Sequence, residues 1–242
     1  MSTSVGTTSN LSAIQEQYET IAHNLANVST PGYKRRFTTF SQALAQQVGH
    51  LPAAAAGGPI RTGTAIDFSP AQPVQTGRSL DLFLNGNGFF TVDTDKGPLY
   101  TRNGCFRTNA QGQLVTSTSQ LVAGQNGPIT VPSGASAERL RVTQEGSVYA
   151  GATSIGKLRI VSFPPEVTLQ SVGGNCLQAP ADANPDDDPK TQVVQGCYES
   201  SNVSAVEELV SLVTVTRLYE ANLKTIQTQD QKNQTLFRAA GL

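Results

Sequence analysis

Two segments, one near each end of the chain, place mainly apolar side chains alternately three and four residues apart. The N-terminal seam consists of Leu11, Ile14, Tyr18, Ile21, Leu25 and Val28. The C-terminal seam consists of Leu209, Leu212, Thr216, Tyr219, Leu223 and Ile226. This heptad-like spacing is typical of helices that pack against other helices. The sequence therefore predicts a coiled-coil-like helix at each end of the chain.

Local signals predict where these helices begin and end. The first helix is predicted over residues 10–28, after a lead rich in serine and threonine. Pro31 disfavours helical geometry at Thr30, and Pro31-Gly32 suits the central positions of a type II turn. Ser204 followed by Glu207 forms a capping box, which predicts the start of the second helix.

The C-terminal helix carries a second apolar stripe beside its seam. The stripe consists of Val203, Val206, Val210 and Val213. Together the two stripes offer more surface than a single partner helix can cover. An isolated helix of this length is also only marginally stable in water. The excess apolar surface therefore predicts assembly with other chains.

Between the helices the composition changes twice. Residues 41–78 are rich in proline, glycine and alanine, which favours an extended linker with some strand. Residues 79–198 alternate apolar and polar side chains and contain frequent turn signals, which predicts a mainly antiparallel β domain. The turn signals are Asn85-Gly86, Asn103-Gly104, Gln111-Gly112, Asn126-Gly127 and Glu145-Gly146. The predicted class is α+β, with helical segments at 1–40 and 199–242 flanking the linker and the β domain.

Net charge and hydropathy argue against two classes of partner. The chain has 17 basic and 18 acidic side chains and a formal net charge of −1, so no bulk attraction to nucleic acid or anionic lipid is expected. No apolar run approaches the roughly 20 residues of a membrane helix, so membrane insertion is not expected. The N-terminus lacks the basic start and apolar core of a secretory signal, which by itself predicts a cytoplasmic protein.

No pattern of residues indicates catalysis or metal binding. His23 and His50 lie in no sequence context that pairs them with a nucleophile and an orienting carboxylate. The three cysteines lack metal-ligand spacing, and Asp186-Asp187-Asp188 lacks the alternate spacing of an EF-hand loop. We therefore expect no cofactor, no metal and no enzyme activity. A secreted β-fold hydrolase or carbohydrate-binding module is the alternative class.

Four stretches of the chain resemble bacterial flagellar axial proteins of the rod and hook family. In order they are IAHNLANVSTPGYKRR, DFSPAQPVQTGRSLDLFLNGNGFFTV, YTRNGCFRTNAQGQLV and YESSNVSAVEELVSLVTVTRLYEANLKTIQTQD. The resemblance implies a structural subunit whose terminal helices pair and pack into the inner tube of the rod, with the β domain outside it. It implies copies of itself and other rod or hook proteins as partners. A hook-type subunit is the alternative within the family.

The resemblance also changes the expected location of the protein. It implies export through the flagellar type III apparatus without a cleaved signal peptide. It further implies a place in the basal body, which spans the periplasm. These expectations replace the cytoplasmic prediction.

The resemblance assigns assembly residues as well. Asn24-Leu25-Ala26-Asn27 and Thr30-Pro31-Gly32-Tyr33-Lys34 match the N-terminal signature, and Arg217, Tyr219 and Glu220 match the C-terminal one. The predicted assembly interface is Leu11, Ile14, Tyr18, Ile21, Asn24, Leu25, Asn27, Val28, Pro31, Gly32, Leu209, Leu212, Tyr219, Glu220, Leu223 and Ile226. The β-domain signature matches Gly86, Gly88, Phe89, Tyr100, Thr101, Arg102, Gly104 and Phe106, where glycines permit turns and aromatics form core. An ordinary helix end with a Pro-Gly stop is the alternative interpretation of the N-terminal motif.

Cys176 and Cys197 bracket a proline-broken acidic stretch at residues 179–190, which is predicted to be a solvated loop. In an oxidising compartment two nearby thiols tend to pair, so a disulfide between them is a hypothesis. The alternative is that all three cysteines are unpaired, because sequence does not fix connectivity. Cys105 is expected to be a small core side chain.

Overall fold

The structure is a computed structural model that describes residues 2–42, 60–133, 139–188 and 190–239. The chain divides into two compact units. Unit 1 comprises the described parts of residues 1–28, 35–68 and 203–242, and unit 2 comprises those of 29–34 and 69–202. Each unit is therefore built from separate stretches of the chain.

Unit 1 contains two long helices and a pair of strands. Its elements are α1 (Ser2–Ala26), β1 (Arg36–Gln42), β2 (Ile60–Ile66) and α2 (Ala205–Ala239). β1 and β2 pair antiparallel, with Arg36 opposite Ile66. Part of the predicted linker is thus a regular strand, while residues 43–59 lie outside the described residues. Neither helix is long and apolar enough over its described residues to cross a membrane.

The first helix is longer at its start than the sequence predicts. The backbone is already helical at Ser2 and remains so through the lead rich in serine and threonine. At its other end α1 stops at Ala26, two residues before the predicted end. Asn24 holds this end in place, since its side chain accepts from Arg36 N at 2.9 Å and donates to Arg36 O at 2.7 Å. The start of α2 at Ala205 confirms the prediction from the capping motif, with Ser204 in the N-cap position.

Unit 2 consists of short strands joined by turns. Its strands are β3 (Pro73–Gln75), β4 (Leu82–Asn85), β5 (Phe89–Thr94), β6 (Gly97–Thr101), β7 (Arg107–Thr108), β8 (Leu114–Val115), β9 (Leu121–Gly124), β10 (Gly127–Pro128), β11 (Leu140–Val142), β12 (Ser147–Ala150), β13 (Thr153–Lys157), β14 (Ile160–Ser162), β15 (Gln170–Gly173), β16 (Cys176–Gln178), β17 (Asp186–Asp187), β18 (Gln192–Gln195) and β19 (Cys197–Glu199). Every described strand pair is antiparallel. The predicted α+β class and antiparallel β domain are therefore confirmed.

The largest sheet has the order β15-β16-β6-β5-β9-β8-β7, with β14 on β5 and β17 on β14. β17 lies within the predicted acidic loop, so part of that loop is a short strand with exposed side chains. Smaller sheets are formed by β11-β12-β13, by β18 with β4 and by β19 with β3. The pairings of β18 with β4 and of β19 with β3 join the last strands of unit 2 to its first strands.

The core of unit 2 is formed by apolar side chains from these strands and from residues beside them. Its buried cluster includes Leu80, Leu82, Leu84, Phe90, Phe106, Leu114, Val122, Ile129, Val131, Leu140, Val142, Val148, Leu158, Ile160 and Val193. Phe90 and Phe106 meet edge to face, with ring centroids 5.0 Å apart. The predicted alternation at Leu80, Leu82 and Leu84 matches this core, whereas in β5 the four consecutive residues 89–92 are all buried.

Gly104 differs from its predicted role. Asn103-Gly104 was expected to form a hairpin turn, but Gly104 lies against β4 and accepts a hydrogen bond from Leu82 N at 3.0 Å. A Cβ at Gly104 would overlap the Leu82 carbonyl oxygen. Glycine is required here by close backbone approach, whereas Gly86 has the positive φ of +143° that the turn interpretation expects.

Candidate functional site

The two helices of unit 1 pack through a small apolar cluster. Ile14 and Ile21 of α1 are buried against Val215 of α2, and Leu212 packs beside them at partial exposure. Ile14 and Ile21 are one heptad apart, so the N-terminal seam faces the second helix at these positions. Among the side chains that the structure describes, three buried residues and one partly buried residue form this contact.

The other predicted interface residues of the helices lie at intermediate or high exposure, with one exception. Leu11, Leu25, Asn27 and Val28 on the N-terminal side, and Leu223 and Ile226 on α2, are half-buried. Tyr18, Leu209 and Tyr219 are 45%, 49% and 37% exposed, and Glu220 is exposed. Asn24 is the exception, because it is buried by its bonds to the backbone of Arg36. Much of the predicted interface therefore remains accessible in the single chain.

The sequence prediction missed Val215, which is the most buried apolar residue among the described side chains of α2. The positions of α2 that turn inward include Glu208, Leu212 and Val215, in steps of four and three. Leu212 belongs to the predicted seam, whereas Leu209 and Thr216, which the prediction places beside it, are exposed. Glu208 is buried but charged, so a pattern of apolar residues does not select it.

A largely apolar groove runs along the helix pair. It is lined by Ile14, Gln15, Tyr18, Glu19, Val215, Thr216 and Tyr219. Tyr18 and Tyr219 stand at considerable exposure, whereas Ile14 and Val215 are buried beneath them. The groove is large enough to receive apolar side chains from another molecule.

The second stripe of α2 is exposed over most of its length. Val206, Val210 and Val213 are 72%, 63% and 52% exposed, whereas Val203, just before the helix, is buried. Val215 lies nine residues after Val206, or about two and a half helical turns, so the two side chains point in opposite directions. α2 thus has one apolar face on α1 and another facing solvent.

An ion pair fixes the start of α2 within unit 1. The Glu208 carboxylate is fully buried, and its Oε1 accepts from Arg35 Nε at 2.5 Å. Arg35 O in turn accepts from Asp67 N at 2.8 Å. A carboxylate in the first helical turn is also favoured by the helix dipole. This pair ties α2 to the stretch that follows α1.

His23 lies on the last turns of α1, where Asn27 Nδ2 donates to its carbonyl oxygen at 2.8 Å. Partial burial lowers the pKa of His23 below its ordinary value, and the positive charge of Arg36 lowers it further. The imidazole is therefore held towards its neutral form.

The structure places Pro31 and Gly32 in unit 2, apart from the helical seams. Gly32 N donates to Glu199 O at 2.7 Å, and Pro31 O accepts from Asn175 Nδ2 at 2.6 Å. Both predicted interface residues are therefore engaged by their own chain.

The cysteines are all free thiols, and each lies within the described residues. Cys176 in β16 donates to Gln120 Oε1 at 3.3 Å, and Cys197 in β19 donates to Val194 O at 3.7 Å. The hypothesised disulfide is absent from the structure, in which Cys176 and Cys197 lie in strands of different sheets. Cys105 is only half-buried, contrary to its expected core position. Burial and nearby Asp81 raise the pKa of Cys105 to about 11.

The described residues contain no group of three or more histidine, cysteine, aspartate or glutamate side chains that could hold a metal ion.

Three protein-family descriptions match separate segments of the chain. "Flagella basal body rod protein" matches residues 7–34, "Flagellar hook protein FlgE/F/G D1 domain" matches 83–150, and "Flagellar basal body rod FlgEFG protein C-terminal" matches 194–239. The flagellar basal-body rod protein FlgG of Agrobacterium fabrum is 33% identical over 247 residues, covering 91% of this chain and 92% of that protein. The chain belongs to the flagellar basal-body rod and hook protein family.

Other relatives in the family agree over nearly the full length. The flagellar basal-body rod protein FlgG of Bacillus subtilis is 31% identical, covering 94% of this chain and 95% of the relative. FlgF of Caulobacter vibrioides is 29% identical, covering 94% and 93%. This flagellar family is structural, not enzymatic. The N- and C-terminal matches cover most of α1 and all of α2, the elements that carry the apolar faces described above.

Proposed function

We propose that this protein is a structural subunit of the flagellar basal-body rod that assembles through α1 and α2 into the axial tube. The observation that carries the proposal is the two-sided apolar character of α2. Val215 is buried on one side, and Val206, Val210 and Val213 are exposed on the other. A helix with apolar residues on opposite sides is normally buried on both.

Further copies of the chain can cover the apolar side chains that are exposed in the single chain. The groove beside Tyr18 and Tyr219 and the valine stripe of α2 lie on different surfaces of unit 1. An interface between two different surfaces is heterologous, and repeating it generates rings or helical filaments. A tube is therefore a natural product of this arrangement, with α1 and α2 acting as a coiled-coil-like pair.

Family membership supports the remaining parts of the proposal. The relatives are named rod proteins, which favours the rod over the hook. The tube would transmit torque and house the export channel, and the partners would be copies of this chain and other rod or hook proteins. Export through the flagellar type III apparatus and a place in the periplasm-spanning basal body belong to the same proposal.

The test is to place charge on the valine stripe. The double variant Val206→Asp and Val210→Asp is expressed in a bacterium whose own copy has been deleted, and swimming in soft agar is measured. We expect loss of swimming and absence of the variant from purified basal bodies, because two carboxylates would be buried without partners in the assembled tube.

Val172→Asp is the matched control. Val172 is 47% exposed in β15 of unit 2, so the same change is made at comparable exposure outside the helices. We expect the control to swim like wild type. Normal swimming of the double variant, at wild-type protein levels, would contradict assembly through this stripe.

A further inference from the structure

A buried cluster of charged side chains in unit 2 joins three distant parts of the sequence. Lys34 Nζ lies 2.7 Å from Glu199 Oε1, and Arg102 Nη1 lies 3.7 Å from Glu199 Oε2. None of the three side chains is more than 5% exposed. Removing one partner from such a cluster leaves an uncompensated buried charge, which is strongly unfavourable.

Other residues of unit 2 hold the Arg102 and Glu199 side chains of this cluster. Arg102 donates to Gly86 O at 2.7 Å and lies 5.0 Å from the centre of the Phe89 ring. Glu199 Oε1 also accepts from Ala71 N at 3.0 Å. The sheets of unit 2 therefore hold Glu199 and Arg102 in place as a receptor for a second cation.

Lys34 arrives on a short stretch of a different kind. Residues 29–34 belong to unit 2, but the chain on either side of them belongs to unit 1. The stretch is fully described and contributes no strand to any sheet. It is held instead by individual contacts, among them the bonds to Glu199 O and Asn175 Nδ2 and a third from Lys34 Nζ to Ser69 O at 2.7 Å. These individual contacts resemble those that a short peptide makes when it binds to a protein.

The contacts are selective for residue type. Gly32 has a φ of +66°, and a Cβ there would overlap the backbone nitrogen of Asn103. No other residue fits without moving that backbone. Two residues later, the buried carboxylate of Glu199 requires a long cationic side chain. Tyr33, between them, is buried at 3% exposure.

We infer that unit 2 contains a peptide-binding slot whose ligand is the chain's own Pro31–Lys34 segment, with Gly32 and Lys34 as the specificity-determining residues. The slot is distinct from the helical faces of the proposed function. Because the segment forms no part of a sheet, it can leave the slot while the strands of unit 2 stay paired. The slot therefore acts as a latch on the N-terminal segment, with its own local opening equilibrium.

Hydrogen exchange of the full-length protein, followed by mass spectrometry, tests the latch. In Lys34→Met we expect at least tenfold faster exchange in residues 29–34 and 69–72, with residues 114–124 in β8 and β9 unchanged. Lys96→Met is the control, because Lys96 is exposed between β5 and β6, and it should exchange like wild type. Wild-type exchange in Lys34→Met, or equal acceleration throughout unit 2, would overturn the inference.

A second pair of variants separates the slot from backbone strain. Gly32 and Gly151 have φ values of +66° and +63°, but a Cβ at Gly151 would have no atom within 4 Å. Alanine is strained equally at both positions, so only Gly32→Ala should accelerate exchange in residues 29–34 and 69–72. Equal effects of Gly32→Ala and Gly151→Ala would show that strain alone is responsible and would overturn the inference.

Binding in trans provides a direct measure of recognition. A fluorescently labelled peptide of residues 29–35 is titrated with the full-length Gly32→Ala protein, whose slot is no longer filled by its own segment. We expect saturable binding at least tenfold tighter than that of the same peptide with alanine at position 32, and none to wild type. Equal binding of the two peptides, or binding of neither, would overturn the inference.

Discussion

The two units of this protein differ in how much apolar surface they bury within one chain. In unit 2 a continuous core links most of the described sheets, and its large exposed apolar side chains are isolated valines, Val74, Val172 and Val194. In unit 1 the helix contact rests on Ile14, Ile21, Val215 and part of Leu212. Its exposed large apolar side chains are Tyr18, Phe37, Val206, Leu209, Val210, Val213, Leu218 and Tyr219.

The difference indicates separate sources of stability. Unit 2 buries most of its large apolar side chains in its own core, whereas the described parts of the unit 1 helices leave several large apolar side chains exposed. Under the proposed function, the exposed apolar side chains of unit 1 are the ones that other subunits cover.

The largest expected effect comes from truncating the core of unit 2. Phe90 is fully buried against Phe106, so Phe90→Ala should lower the free energy of unfolding of unit 2 by about 3 to 5 kcal/mol. Phe37→Ala in unit 1 removes the same side chain at 40% exposure and should cost far less. Urea unfolding of both variants measures the contrast, and similar losses would break the comparison between the units.

Thiol reactivity tests how well unit 2 shields its interior. With its pKa raised from 9.0 to about 11, Cys105 should have roughly a hundredfold less thiolate at pH 8 than an unperturbed thiol. Alkylation followed by mass spectrometry should therefore label Cys105 about a hundredfold more slowly than a free cysteine peptide, and find three thiols after denaturation without reductant. Rapid labelling, or a peptide joining Cys176 to Cys197, would contradict this picture.

The same raised pKa has a consequence at alkaline pH. Between about pH 9 and 11 the unfolded chain loses the Cys105 proton while the folded chain retains it. Unit 2 should therefore lose stability as the pH rises through this window. Cys105→Ala should reduce that part of the loss in denaturant titrations at pH 9 and 10.5.

A smaller effect is expected from the cluster between the helices. Val215→Ala removes about 1.5 kcal/mol of apolar burial, at roughly 0.8 kcal/mol per carbon, from a side chain that is 4% exposed. Val213→Ala, at 52% exposure, is the control and should change stability by less than about 0.5 kcal/mol. Helix melting followed by circular dichroism distinguishes them. Equal shifts would mean that the helices do not pack through Val215 in solution.

The smallest effect concerns the end of α1. Because the folded pKa of His23 lies below 6.5, the unfolded chain binds more protons just below that pH. Stability of unit 1 should therefore rise with pH from about 5 to 7, and His23→Gln should remove this slope. Helix melting at pH 5 and pH 7 gives the measurement, and an unchanged slope in the variant would assign it to another group.

Periodicity predicted both helices, and Ile14, Ile21 and Leu212 of the predicted seams lie in the cluster between them. In α1 the predicted residues Ile14 and Ile21 do face α2, because both are apolar and visible in the pattern. In α2 the inward position Glu208 is charged, so the apolar pattern alone selected its neighbour Leu209. A buried ion pair with Arg35 places a carboxylate where a hydrophobic pattern has no signal.

Other features of the fold could not be predicted because they depend on contacts between residues that are far apart in the sequence. Asn103-Gly104 is a strong local turn signal, yet Gly104 is glycine because another strand passes against it. Likewise, nothing in the sequence around Lys34 shows that its partner is Glu199, since the two meet only once the sheets of unit 2 have formed. Sequence patterns reveal interactions between residues that are close together in the chain, whereas these contacts join residues that are far apart in it.

The separation of Lys34 from Glu199 in the sequence also determines how long after the lysine its acidic partner is synthesised. The two residues are 165 positions apart, so a ribosome adding about 5 to 20 residues per second makes the lysine roughly 10 to 30 s before its carboxylate. Throughout that interval Arg102, once made, also lacks its acidic partner, and unit 2 cannot close around residues 29–34. The N-terminal segment of each nascent chain should therefore stay accessible to other proteins until nearly the whole polypeptide has been made.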